Sequence, residues 1–94
     1  MRAFEVYLNG AKLCLAGIGN DGVLTTIVNW VAKGGEGDLF FTVGGLLTPT
    51  GEHVAWLRQH LRVGDEVQIK IVEADTVDNP TAEGSRIEPR KPLN

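Results

Sequence analysis

The sequence predicts an α+β domain: an antiparallel sheet of about five strands in the order β-β-β-β-α-β, with one helix covering a face. Three observations lead there. Asn9-Gly10 lies between two apolar runs, residues 48–62 space their apolar side chains like a helix, and residues 66–71 alternate strictly. Some apolar side chains are left on the second face of that sheet, namely Tyr7, Cys14, Phe40, Val72 and Trp30. This favours either a sheet curled into a barrel-like form or a face that meets a partner.

The first hairpin is the best-specified element. Asn and Gly both tolerate the positive φ of a two-residue type I′ turn. With Asn9-Gly10 as the loop, Leu8 faces Ala11, Tyr7 faces Lys12, Val6 faces Leu13, Glu5 faces Cys14 and Phe4 faces Leu15. That register places Phe4, Val6, Leu8, Leu13 and Leu15 on one face and Glu5, Tyr7, Lys12 and Cys14 on the other. Strands are expected at 3–8 and 11–18.

Residues 20–33 admit two readings. As a strand, their density of Val, Thr, Ile and Trp fits, and Gly34 to Asp38 becomes a hairpin loop. As a helix, Asp21 caps and Leu24, Ile27, Val28 and Val31 form a stripe. The strand reading is preferred because β-branched side chains lose rotamer freedom in a helix; the helical one gives β-β-α-β-α-β, within the same class. Leu39 to Val43 follows as a strand with Leu39, Phe41 and Val43 on one face and Phe40 on the other, ended by Gly44-Gly45.

Residues 49–62 are expected to be the helix. Thr48 caps, Pro49 takes the first helical position, and Val54, Leu57 and Leu61 share one stripe. Gly64 stops it, and Val67, Ile69 and Ile71 alternate with Glu66, Gln68 and Lys70 as the last strand. Residues 1–75 therefore form one domain. From Thr76 onward three of the four prolines gather with little apolar surface, so residues 76–94 are expected to be an extended or disordered tail.

The chain has 94 residues, 43% hydrophobic and 22% charged, with a formal net charge of −3, which offers no general attraction to nucleic acid or anionic membranes. A single cysteine fits a reducing cytosol, and no apolar run of signal or membrane-spanning length is present. A cytoplasmic protein is expected.

Candidate chemistry is sparse. On a helix His53 and His60 would lie about 10 Å apart, too far to share one metal ion. Trp56 falls outside the apolar stripe and would form a His53–Trp56–His60 strip on the helix flank, an interaction surface to which Tyr7 and Phe40 of the sheet add. On that view Trp56→Ala leaves the fold intact, whereas Trp56 at the core rim or under the tail is the plainer alternative. Cys14 beside Glu5 lacks a base and reads as a strand cysteine. The glycines from Gly17 to Gly22 lack the GK[ST] ending of a phosphate loop, Thr50 to His53 reads as a helix start, and Glu73, Asp75 and Asp78 read as a solvated strand end. No catalytic, cofactor-binding or metal-binding residue is assigned.

The stretches GGL (44–46) with TGEH (50–53), and LRVGDEV (61–67) with IVEAD (71–75), resemble a family of small bacterial proteins without an established activity. The resemblance implies a bacterial, cytosolic origin and no mechanism. The function expected is a small, non-enzymatic module for protein interaction or regulation, acting on a protein partner or by self-association, without nucleic acid, membrane or cofactor. The alternative is a small-ligand-binding domain or a small enzyme.

Overall fold

Asn9 and Gly10 both take positive φ, 52° and 86°, and close the first hairpin as the sequence favours. In the computed structural model, which describes residues 1–83, this hairpin joins β1 (Arg2–Leu8) to β2 (Ala11–Ala16). Its register departs from expectation after two pairs. Leu8 faces Ala11 and Tyr7 faces Lys12, but Val6 then faces Cys14 and Phe4 faces Ala16. Leu13 is the extra residue of a β-bulge, which shifts every later side chain of β2 by one position. Cys14 consequently packs in the core with Val6, not outward beside Glu5, and Leu13 is exposed.

The larger correction concerns residues 49–62. Among the described residues there is no helix, and the fold is all-β rather than α+β. Thr48-Pro49-Thr50-Gly51 is the loop of a hairpin between β4 (Glu36–Leu47) and β5 (Glu52–His60). Leu47 pairs with Glu52, the Gly51 N–H donates to the Leu47 carbonyl at 2.8 Å, and Gly51 takes φ 72°. Proline suits the second position of such a turn as well as it suits a helix start. The helical stripe also has a β origin. Val43 faces Leu57 while Gly44 faces Ala55, so Trp56 is the extra residue of a second bulge. One inserted residue converts a same-face spacing of i, i+2 into i, i+3, and Val54, Leu57 and Leu61 thereby imitate a helical face.

Residues 22–33 are a strand, as preferred: β3 (Gly22–Lys33) pairs with β4 along an unbroken ladder from Gly22–Leu47 to Lys33–Glu36. Gly34 and Gly35, at φ 62° and 84°, form the two-residue turn between them. Gly44-Gly45 does not end β4. A side chain on Gly45 would lie 2.7 Å from the Val23 carbonyl oxygen and 3.0 Å from Ile18 Cγ2, so glycine is what permits the strand to pass there. β6 (Val67–Glu73) forms and pairs with β1, but its expected inward set is incomplete: Val67 and Ile69 pack against the core, whereas Ile71 is 69% exposed.

Six strands thus make two antiparallel sheets, β2-β1-β6 and β3-β4-β5, and a two-residue β7 (Ala82–Glu83) adds to the outer edge of β5. Between the sheets lie Val6, Cys14, Ala16, Phe41, Val43, Val54 and Trp56. The sheets are tied at one side by residues 74–81. Asp78 exchanges bonds with Leu15 of β2: its N–H donates to the Leu15 carbonyl at 2.9 Å and its carboxylate accepts the Leu15 N–H at 2.8 Å. The Asp78 carbonyl accepts the Trp56 indole N–H at 2.8 Å, and the Thr81 N–H reaches the Ala55 carbonyl at 2.9 Å. These residues open the segment expected to be an extended or disordered tail; residues 84–94 lie outside the described residues. Among the described residues no helix is long and apolar enough to cross a membrane.

Candidate interaction surface

Sheet edges carry unpaired backbone groups, and folded chains protect them with charge, proline, bulges or a covering segment. Three of the edges here follow that rule. β2 has Lys12, its bulge and the bonds to Asp78; β5 is covered by Thr81 and β7; β6 presents Gln68, Lys70 and Glu73. β3 is the exception. From Val23 to Ala32 it holds no charge and no proline, and its ladder with β4 contains no bulge. Among the described residues no further strand lies beyond it.

The same strand is apolar on both faces. Leu24, Thr26, Val28 and Trp30 lie on the face shared with Phe41 and Val43, whereas Val23, Thr25, Ile27, Asn29 and Val31 point the other way. Leu24 reaches the core, but Ile27, Val28, Trp30 and Val31 are 45%, 58%, 63% and 56% exposed. Length explains this. Twelve residues span roughly 40 Å of strand, matching the 41 Å long axis of the molecule, whereas β1 has only seven residues. The distal half of the β3–β4 hairpin has no first sheet to pack against.

The outer face of the second sheet carries two further features. Around Gly44 lies a shallow apolar groove of about 460 Å³, lined by Val23, Ile27, Leu46, His53 and Ala55. Farther along, Phe40 pairs with His60, and the Arg58 guanidinium sits 4.2 Å over the Phe40 ring. His60 Nδ1 and Arg58 Nε are buried without a hydrogen-bond partner. The outer face of the first sheet is polar by comparison. There the Tyr7 hydroxyl beside Glu5 holds that carboxyl below its usual range, Lys12 approaches it at 3.4 Å, and Lys70 lies over the Tyr7 ring.

Of the five residues read from the sequence as an interaction surface, the fold brings together three. Phe40, His53 and His60 share the outer face of the second sheet, and Tyr7 lies on the other sheet. Trp56 is 4% exposed and bonded to Asp78, so no His53–Trp56–His60 strip exists: the bulge turns the indole inward. The exposed tryptophan is instead Trp30, which the sequence reading placed on the second sheet face without singling it out. The absence of any charge over ten consecutive strand residues was the signal for it. Cys14 is buried, and burial, with the Asp78 carboxylate nearby, pushes its thiol up to about 11. No group of His, Cys, Asp and Glu placed to hold a metal ion occurs among the described residues. No family model, curated protein or solved structure matches the chain.

Proposed function

We propose that this chain is a small, non-enzymatic protein-interaction module of the cytosol whose working element is the exposed edge of β3. The observation that carries the reading is an uncharged, unbulged strand edge with apolar side chains open on both faces. Such an edge offers a partner strand both backbone hydrogen bonds and apolar area, the mode known as strand addition. The lone cysteine is in keeping with reducing surroundings.

Strand geometry supplies a selective test. Lys33 and Glu36 close a two-residue turn, so odd-numbered residues of β3 direct their backbone groups toward β4 and even-numbered ones direct theirs outward. Val28→Pro therefore removes an outward N–H and leaves the ladder whole. Tagged wild-type and Val28→Pro chains, matched for melting temperature, would be used for affinity capture from cells. A stoichiometric association lost only in the variant is the expected result. Identical capture by both would sink the reading. The groove around Gly44 supports a second reading, an apolar small-ligand site, for which a ligand-induced rise in melting temperature abolished by Gly44→Val is the corresponding check.

A further inference from the structure

We infer that the occupant of the β3 edge is a second copy of this chain, paired antiparallel about a two-fold axis through Ile27. The inference rests on the reading of β3 as the interaction edge and adds the partner and the register.

An isologous contact requires a strand that is complementary to its own reversal. β3 has that property about Ile27. In this register Asp21 of one copy stands opposite Lys33 of the other, so the two charges that bracket the strand meet their opposites at both ends. Neither makes an ion pair within its own chain among the described residues. Between these ends Val23 meets Val31, Thr25 meets Asn29 and Ile27 meets itself on the outer face; Leu24 meets Trp30 and Thr26 meets Val28 on the inner face. Apolar side chains thus meet apolar ones at Val23–Val31, Leu24–Trp30 and Ile27–Ile27, the polar pair Thr25–Asn29 meets across the strands, and only Thr26–Val28 is mixed. A shift of register by two residues would leave Asp21 and Lys33 without these partners.

The backbone agrees independently. In this register every even residue meets an even residue, so Leu24–Trp30 and Thr26–Val28 become hydrogen-bonded pairs built from outward-facing groups, and Ile27–Ile27 a non-hydrogen-bonded pair. Trp30, exposed at the end that overhangs the first sheet, comes to lie over Leu24 of the other copy, which reaches that copy's core. The overhang of each hairpin is covered by the other, and the two second sheets become one.

The test uses the purified full chain. Light scattering across a concentration series is expected to give twice the 10.2 kDa of one chain, falling to one chain in Val28→Pro. The register is read by cysteine cross-linking. Ile27→Cys should oxidise to a covalent dimer, because side chains in a non-hydrogen-bonded pair lie closest across the strands. Thr25→Cys alone should not link, but should link when mixed with Asn29→Cys; Cys14, being buried, leaves the background silent. Asp21→Lys and Lys33→Asp should each weaken association, and mixing them should restore it as a heterodimer. A monomer at every concentration overturns the second copy, while the capture difference between wild type and Val28→Pro decides the edge reading separately. A dimer in which Ile27→Cys does not link, or in which Val28→Pro changes nothing, overturns the register and the edge respectively.

Discussion

The two tryptophans divide the labour of the fold between them. Trp56 is enclosed, and its indole N–H is bonded to the Asp78 carbonyl, so truncation removes a filled core volume and leaves that carbonyl unpaired. Trp56→Ala is expected to cost about 3–5 kcal/mol in denaturant unfolding. Trp30→Ala, at an exposed site, should change the stability of the isolated chain by less than about 0.5 kcal/mol. The reverse order would place Trp30 in the core. Cys14 gives a pH signature of opposite sense to a salt-bridged acid. Its thiol stays protonated to about pH 11 in the folded chain, against an ordinary value of 9.0. The folded state then holds the proton that the unfolded state releases, so stability is unchanged below pH 9 and falls as pH rises from there toward 11. The fall is on the order of 1–2 kcal/mol after solvent screening, and Cys14→Ala should abolish it in alkaline melts. Alkylation of Cys14 at pH 8 should proceed only on unfolding.

At the scale of elements, the two bulges matter more than any single contact. The bulge at Leu13 sends Cys14 and Ala16 into the core, and the bulge at Trp56 lets three consecutive residues, Val54, Ala55 and Trp56, all be buried. The glycines of β4 act in the same region. Gly45 holds the strand against the Val23 carbonyl and Ile18, where a methyl group would meet backbone 2.7 Å away. Gly45→Ala is therefore expected to destabilise by about 1–3 kcal/mol through overpacking, despite the gain in strand propensity. A stabilised Gly45→Ala variant, measured by thermal melting, would show that the strand can shift aside. The ladder of β3 and β4 runs without a bulge along its whole length, in contrast to the bulged β1–β2 and β4–β5 pairs.

For the whole molecule, the segment after β6 adds a hydrogen-bonded tie between two sheets that already share a core. Residues 74–81 leave β6, bond to β2 through Asp78, cap Trp56 and continue along β5. A chain ending at Asp75 loses those bonds and uncovers the indole. At roughly 1 kcal/mol per hydrogen bond, the loss is on the order of 3–5 kcal/mol, a large part of a small domain's stability. Circular dichroism melts of residues 1–75 beside the full chain check this, and equal midpoints would show the segment to be dispensable. Composition changes at residue 75, and Asp78 and Thr81 beyond it nonetheless bond to β2 and β5, because a segment poor in apolar side chains can still be ordered by hydrogen bonds to two sheet edges.

What the sequence determined by itself was local: the Asn9-Gly10 turn with its positive φ, the preference for strand over helix at residues 22–33, the inward set of Phe41 and Val43, and the inward placing of Val67 and Ile69 in β6. Each depends on neighbours in the chain, through turn geometry, rotamer freedom or the period-2 pleat. Only the tertiary structure decided that residues 52–60 are a strand, that Cys14 and Trp56 face inward, and that Trp30, on the inner face of its sheet, is left exposed. Those outcomes depend on a single inserted residue in each of two strands and on where the opposing sheet ends. A bulge changes which face a side chain takes without changing composition, and in β5 it reproduces the spacing of a helix, so periodicity alone could not separate the two.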